Sequence, residues 1–148
     1  MLDTLALVFG PGVVGAALWS PILLSSRFRS LFGRLPPAGS LIGSYLLVAV
    51  GLSIPFVIGT GIVVTTTSAD GAALSNALLD LVFGLAIAYV VVLPLVVGAG
   101  LPRIGLDWDP TDYGPGTWLL LVGAALWYVA VFAAPLTFFA LVLALPTG

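Results

Sequence analysis

The chain has 148 residues, of which 61% are hydrophobic and only 7% are charged, and its mean hydropathy is +1.26. Soluble globular domains carry about 25% charged residues, so this composition excludes a water-soluble domain. The sequence contains no His, Cys, Lys or Glu. Disulfides, thiolate metal sites, bis-His haem ligation and a retinal Schiff base are therefore excluded, and no cofactor is predicted.

Four long stretches contain no charged residue, namely residues 4–26, 35–69, 81–102 and 113–148. Each is longer than the roughly 20 residues that an α-helix needs to cross a hydrocarbon core of about 30 Å. None has the alternating pattern of a barrel strand. The sequence predicts an all-α integral membrane protein, a four-transmembrane-helix bundle with short loops and a single transmembrane domain over residues 1–148. The predicted helices cover approximately residues 4–24, 41–64, 74–100 and 117–145.

The first predicted helix does not have the pattern of a cleaved signal peptide. The only charge ahead of it is Asp3, and its apolar run is long enough to span a membrane. Pro21 should bend or end the helix. Gly12, Ala16 and Ser20 stand four residues apart on one face. Small residues at this spacing allow another membrane helix to approach closely.

The hexamer VGAALW occurs twice, at residues 14–19 and 122–127. In a four-helix arrangement the two copies would run in opposite directions, as do the inverted repeats of many transporters. The flanking residues do not match, and the chain is dominated by Ala, Val, Gly and Leu. Chance, or a shared need for a packing face of small residues, is the favoured interpretation.

Between the first and second predicted helices lies a segment with helical periodicity. Its apolar residues fall at i, i+3, i+4 and i+7: Phe28, Leu31, Phe32 and Leu35. Its basic residues fall outside that stripe: Arg27, Arg29 and Arg34. This pattern is typical of a short helix that lies in the membrane interface. The alternative is an ordinary positively charged loop.

Asp80 is the one ionisable residue well inside a predicted span, and an intramembrane carboxylate is a functional-site hypothesis by default. Asn76 shares its helix face, and the hydroxyls of Thr60 and Thr137 should lie at comparable depth. These four residues form the candidate intramembrane polar site. The alternative is that Asp80 lies at the head-group level and faces water, near the positive end of the helix dipole.

Three acids cluster in the loop before the last predicted helix, where Asp107, Asp109 and Asp112 form a D-x-D-x-x-D pattern. Clustered carboxylates can bind Ca²⁺ or Mg²⁺, so these residues are a weak candidate for a metal site. The pattern lacks the spacing and the distal Glu of a calcium-binding EF-hand loop. Turn chemistry, favoured by Asp-Pro and by Tyr-Gly-Pro-Gly, is the alternative interpretation.

The distribution of arginine predicts the topology. All four basic residues fall in two loops on one side of the predicted bundle: Arg27, Arg29, Arg34 and Arg103. An excess of Lys and Arg marks the cytoplasmic side. The sequence therefore predicts a multi-pass protein of the plasma (cell) membrane with both termini outside and both arginine-bearing loops in the cytoplasm. The Asp-only acids and Arg-only bases resemble the composition of halophilic archaeal proteins, although a high-GC actinobacterium could have a similar composition.

The sequence predicts no enzyme, because it lacks the residues of the common catalytic sites. A single membrane Asp excludes an aspartyl dyad, and intramembrane serine or zinc proteolysis needs His. We expect an accessory or structural subunit, or a self-associating scaffold. Its partners would be the lipid bilayer and either further copies of itself or another membrane protein, with no role in nucleic-acid binding. The alternative is a small oligomeric channel or transporter that uses Asp80.

Overall fold

The computed structural model describes residues 1–37 and 39–146, and within these residues the secondary structure is helical, with no strand. Six α-helices follow one another: α1 (Leu2–Trp19), α2 (Ser26–Arg34), α3 (Leu41–Thr66), α4 (Gly71–Leu95), α5 (Leu101–Arg103) and α6 (Pro115–Leu143). A 3₁₀ turn, Ser20–Leu24, extends α1, and a π turn, Val96–Gly100, joins α4 to α5. Four helical segments of the described chain are long and apolar enough to cross a membrane: Leu2–Leu24, Leu41–Thr66, Gly71–Arg103 and Pro115–Leu143. The prediction of four long apolar helices is confirmed.

Local capping explains where the two central helices begin. The Ser40 side chain accepts a hydrogen bond from the backbone N–H of Gly43 at 3.0 Å, which caps α3. The Asp70 carboxylate accepts one from the N–H of Ala73 at 3.2 Å, which caps α4. Such side-chain caps satisfy backbone donors that the first helical turn leaves free. Because Asp70 is the cap, α4 begins at Gly71, three residues before the predicted start.

The four long helices form two antiparallel hairpins. Helix α1 packs most closely on α3, and α4 packs most closely on α6. Contacts between the hairpins, of α3 with α4 and of α1 with α6, are far sparser. At one end of the bundle α2 lies against α3, and the loop between α5 and α6 lies beside α2. This end bears all four arginines and is called the arginine end.

Aromatic side chains fill the space between the two hairpins. Seven of them, each at most 9% exposed, form a chain of contacts with ring centroids 4.9–6.2 Å apart: Trp19, Phe32, Tyr45, Phe56, Tyr89, Tyr128 and Phe132. Their buried polar groups donate to backbone carbonyls of neighbouring helices at 2.5–2.9 Å: Tyr45 to Ala16, Tyr128 to Ala49, Tyr89 to Leu52, and Trp19 to Ala124. Buried polar groups need such partners. These four bonds link α1 to α3, α3 to α4 and α6, and α1 to α6.

The π turn after α4 creates an orphan carbonyl. The N–H of Leu101 donates to Val96, five residues back, and therefore does not serve the carbonyl of Val97. The next residue, Pro102, has no N–H to donate. The indole N–H of Trp108 reaches back from the following loop and donates to the Val97 carbonyl at 2.8 Å. The loop side chain thus supplies the donor that the Val97 carbonyl lacks.

The segment predicted to be an amphipathic helix forms α2, and its apolar face packs on protein. Phe28, Leu31 and Phe32 are only 5%, 3% and 2% exposed. Phe32 contacts Trp19 and Tyr45 edge-on, with ring centroids 6.2 and 5.3 Å apart. Helix α2 therefore closes the arginine end of the bundle with the same side chains that were expected to face the membrane interface.

The two copies of VGAALW occupy different environments. Trp19, at the end of the first copy, is buried and bonded to α6, whereas Trp127, at the same place in the second copy, is 47% exposed. Gly15 is buried against Phe132, whereas Gly123 is exposed. Equivalent positions of an inverted repeat would have equivalent surroundings. The structure therefore supports the interpretation that the repeated hexamer arose by chance or from a shared need for small packing residues.

Candidate functional site

The most elaborate polar cluster in the described residues surrounds Asp109, in the loop between α5 and α6. One carboxylate oxygen, Oδ1, accepts from the N–H and the hydroxyl of Thr111 at 2.9 and 2.7 Å. The other, Oδ2, accepts from the N–H of Tyr113 at 3.2 Å and from the hydroxyl of Thr117. Asp109 is 5% exposed and Thr117 is 1% exposed. The loop is therefore folded around a buried carboxylate that four donors satisfy.

The sequence explains this arrangement locally. An Asp that accepts from the N–H two residues later forms an Asx turn, which Pro110 favours. Gly114 and Pro115 then begin α6, with Pro in the first helical turn, where its missing N–H does no harm. Thr117 lies in that first turn, so the carboxylate of Asp109 stands beside the positive end of the helix dipole. The charge of Asp109 therefore stabilises the start of α6 as well as the loop.

Burial and hydrogen bonding together shift the pKa values of Asp109 and Tyr113. Burial raises the pKa of Asp109, but the hydrogen bonds from Thr117, Thr111 and Tyr113 together lower it further, so the net pKa lies below its ordinary value. Burial, and next the hydrogen bond to Asp107, raise the pKa of the Tyr113 hydroxyl. That hydroxyl donates to Asp107 at 2.5 Å and accepts from the N–H of Trp108 at 3.0 Å. Asp109 is thus held ionised and Tyr113 is held neutral.

The loop is tied to α2 by three side chains of that helix. The hydroxyl of Ser30 donates to the carbonyl of Trp108 at 2.6 Å, and Arg34 donates to the carbonyl of Asp107. Arg27 donates to the hydroxyl of Thr117 at 3.4 Å. Arginines that were predicted to set topology therefore also join the two segments of the arginine end. Arg29 bonds instead to the carbonyl of Leu23 at 3.4 Å, and Arg103 is exposed.

The three loop acids do not converge on one point. Asp109 is enclosed by its own donors, Asp107 receives the hydroxyl of Tyr113, and Asp112 is exposed with a left-handed backbone, φ +64°. Among residues 1–37 and 39–146, no group of three His, Cys, Asp or Glu side chains is placed to hold a metal ion. Asp109 accepts instead from N–H groups of its own loop, at Thr111 and Tyr113.

The structure brings Asp80 and Thr137 together. Both border one shallow pocket between α4 and α6, lined also by Leu79, Val82, Phe83 and Ala86. Asp80 is exposed, and so are Asn76, Gly84 and Ala88 on the same face of α4. This polar stripe therefore lies on the outer surface of the bundle.

Thr60 does not line the pocket that Asp80 and Thr137 share. It lines a separate pocket of about 510 Å³ whose walls include Pro11, Phe132 and Pro135. Its hydroxyl is buried without a hydrogen-bond partner in the described structure. The reason is rotational, because Thr60 faces α1 and α6 whereas Asp80 lies on the outer face of α4. Similar depth along the bundle did not place them on one side of it.

A third pocket, a cavity with a volume of about 220 Å³, lies between the hairpins near the arginine end. Its inner wall consists of buried residues, among them Trp19, Leu121 and Ala125. The apolar face of α2 forms its roof through Phe28, Leu31, Phe32 and Leu35. The lining is apolar throughout. Sequence periodicity identified the roof residues but gave no sign of a cavity beneath them.

Comparison with known proteins yields a family and no further relatives. No curated protein and no solved structure matches the chain. The family model described as "Domain of unknown function (DUF8162)" matches residues 1–147, which is nearly the whole chain. The chain therefore belongs to the DUF8162 family.

Proposed function

We propose that the chain is a non-catalytic integral membrane scaffold that associates with further copies of itself through the outer face of α4. The observation that carries the proposal is the exposed stripe of Asn76, Asp80, Gly84 and Ala88 on a helix that is otherwise apolar outside. Two polar residues are followed along that face by two small ones. Polar groups and small residues are the features that associate membrane helices.

The four apolar spans support membrane insertion, since their large exposed side chains are chiefly Leu, Ile, Val and Phe. In a bilayer backbone polar groups must be satisfied internally, and in this bundle Tyr and Trp side chains donate to backbone carbonyls of neighbouring helices. The arginine excess at one end favours that end for the cytoplasm of a cell membrane, with both termini outside.

We infer the depth of Asp80 from a contact within the bundle. The hydroxyl of Tyr89 bonds to the carbonyl of Leu52, which lies near the middle of the 26-residue α3. Asp80 precedes Tyr89 by nine residues in α4, or about 13 Å at ~1.5 Å per residue. Half of a ~30 Å hydrocarbon core is ~15 Å. Asp80 therefore belongs at the outer boundary of the core, while Gly84 and Ala88 lie within it.

A second copy is the occupant that this face fits best. In a parallel two-fold pair the same patch meets itself, so it must be self-complementary. Asn76 supplies amide donors and Asp80 supplies acceptors one helical turn away, so Asn76 can donate to Asp80 of the partner subunit. A Cβ added at Gly84 would meet nothing within 4 Å in the single chain, which leaves room for a neighbouring helix.

Cross-linking tests the proposal, because the chain has no native Cys. Gly84→Cys should form bismaleimide-linked dimers in native membranes at least fivefold more efficiently than Gly123→Cys. Gly123 is a matched control, since it too is exposed in mid-helix with nothing within 4 Å of an added Cβ. Adding Asn76→Ala with Asp80→Ala to Gly84→Cys should reduce the dimer. Equal cross-linking at the two glycines would refute self-association through α4.

A channel formed between copies is the second candidate, because Asp80 and Thr137 border the same outer pocket and would both lie at an α4 interface. A path through one chain is disfavoured by the aromatic core. A water-soluble methanethiosulfonate reagent separates the two functions. Rapid labelling of Gly84→Cys from outside would favour a wet pathway, and protection in the cross-linkable dimer would favour a dry scaffold.

The proposed orientation is tested independently of association. Ser68→Cys lies in the loop between α3 and α4, and Ile104→Cys lies in the loop after α5. An impermeant maleimide should label Ser68→Cys in intact cells, whereas Ile104→Cys should react only after permeabilisation. The reverse pattern would place the arginine end outside.

A further inference from the structure

We propose that the 220 Å³ cavity beneath α2 binds one hydrocarbon chain of an anionic membrane lipid. An apolar cavity of about 150 Å³ stays dry and accepts a small apolar molecule such as benzene, so a larger one of the same character can hold part of an acyl or isoprenoid chain. The inference rests on the proposed membrane placement and is independent of self-association.

The cavity opens sideways between α3 and α4. Its buried wall belongs to α1, α2 and α6, whereas the lining residues that retain surface exposure belong chiefly to the gap between the hairpins: Val48 and Leu52 on α3, and Leu93 and Val96 on the opposite side. This is also where α3 and α4 make few contacts. The mouth therefore faces the lipid, so a chain can enter from the bilayer without passing through water.

The cavity lies beneath basic residues, which is why the lipid should be anionic. Leu35 and Leu101 line it on the side of the arginine end. Arg34 directly precedes Leu35, and Arg103 follows Leu101 by two residues. Guanidinium groups bind phosphate through paired N–H donors, and basic residues close to a hydrocarbon boundary favour anionic head groups. A lipid with its chain in the cavity would carry its phosphate at this level.

Native mass spectrometry of the full-length protein released from nanodiscs tests the site. The discs contain equal amounts of phosphatidylglycerol and phosphatidylcholine with identical chains. Wild type should retain one lipid per chain. Val48→Trp and Leu93→Trp, which fill the cavity from its two sides, should each lower retention at least fivefold. Leu47→Trp and Val92→Trp are the matched controls, since their side chains are 63% and 51% exposed beside those positions, and they should retain lipid like wild type.

The head group is tested in the same experiment. Wild type should retain phosphatidylglycerol over phosphatidylcholine, and Arg103→Gln should reduce that preference roughly fivefold, as expected for one basic residue near a membrane surface. Arg29→Gln removes the same charge on the α1 side, where Arg29 bonds to Leu23, and should leave the preference unchanged.

Several results would overturn the inference. Wild type without retained lipid, or cavity variants that retain as much lipid as their controls, would show that the cavity holds no chain. Equal retention of both lipids would refute the anionic specificity. Circular dichroism and thermal unfolding show whether each variant is folded. Because Val48→Trp and Leu93→Trp fill the cavity from opposite walls, one of them still tests the site if the other misfolds. Loss of dimers with lipid retained would refute only the scaffold proposal.

Discussion

Replacing Asp109 should destabilise the arginine end more than any other single change of an acid in this chain. In Asp109→Asn one oxygen remains as an acceptor, but an NH₂ group then faces donors that the carboxylate had satisfied. A hydrogen bond to a charged group contributes about 1.5–3 kcal/mol. Because the Thr117 hydroxyl can rotate to accept from the new amide, we expect a net loss of about 1.5–3 kcal/mol. Asp109→Ala, which removes the acceptor that all four donors share, should lose about 3–4 kcal/mol.

The effect should depend on pH with a definite sign. Because the pKa of Asp109 is lower in the folded chain than its ordinary 3.8, the unfolded chain takes up a proton first as the pH falls. The stabilisation by the carboxylate is therefore complete above pH 3.8 and is lost as the pH falls through the folded pKa, below that value. The difference in stability between wild type and Asp109→Asn should be largest near pH 7 and should shrink below pH 4.

Thermal unfolding of detergent-solubilised protein, followed by near-ultraviolet circular dichroism, measures the effect at pH 7 and pH 3. A loss of about 2 kcal/mol corresponds to roughly 4–8 °C for a domain of this size. Asp112→Asn is the matched control, because Asp112 is exposed and Asn also tolerates its left-handed backbone. If the free energies of unfolding of Asp109→Asn and Asp112→Asn differed by less than about 0.5 kcal/mol at pH 7, the stabilising role of the Asp109 carboxylate would be refuted.

Two further predictions concern the core and use the same unfolding assay. Tyr128→Phe removes the hydroxyl that donates to the Ala49 carbonyl at 2.5 Å. The free energy of unfolding should fall by about 0.5–1.5 kcal/mol, the range of interhelical hydrogen bonds in membrane proteins. An unchanged free energy of unfolding would show that the bond contributes nothing. Gly12→Ala places a Cβ 2.5 Å from the hydroxyl oxygen of Ser53 and should lose about 1–3 kcal/mol through overpacking. Gly123→Ala, where a Cβ meets nothing within 4 Å, should not be destabilising, and equal effects of the two substitutions would contradict the packing of α1 on α3.

Hydrophobicity and periodicity were sufficient to predict the helices. The uncharged runs are long and apolar, so their helical character follows from length and composition alone. The amphipathic stripe of α2 was also visible, because Phe28, Leu31 and Phe32 recur at helical spacing. These patterns do not show whether the apolar face of α2 contacts protein or lipid. Protein and lipid are equally apolar to a Phe side chain, so the burial of α2 on the bundle could not be predicted.

The loop around Asp109 was beyond prediction for a different reason. Three acids in six residues suggest a metal site, and composition does not reveal that Thr117 and Tyr113 turn their donors onto one of those acids. Trp108 carried a signal that was available: a large indole in a polar loop needs a partner for its N–H. That partner, the carbonyl of Val97, is orphaned only because a π turn precedes a proline, which no periodicity shows.

The sequence predicted which residues share the helix face of Asp80 but not the direction in which that face points. Helical spacing correctly placed Asn76, Asp80 and Gly84 on one side of α4, because that depends only on ~3.6 residues per turn. Which way the side points depends on how α4 packs on α6. Apart from this stripe α4 is apolar on all sides, so the sequence did not show whether the stripe faces the interior of the bundle or its outer surface.

The loop and the cavity are physically connected, and this connection gives the arginine end a single role. Ser30 and Arg34 hold the loop against α2, and α2 in turn roofs the cavity. The two hairpins meet loosely on the α3–α4 side, so their spacing there depends on what bridges them at their ends. Trp108 joins the π turn of one hairpin to α2 of the other through Val97 and Ser30. A change that loosens this bridge, such as Asp109→Ala, should therefore also lower lipid retention, although Asp109 is not among the residues that line the cavity.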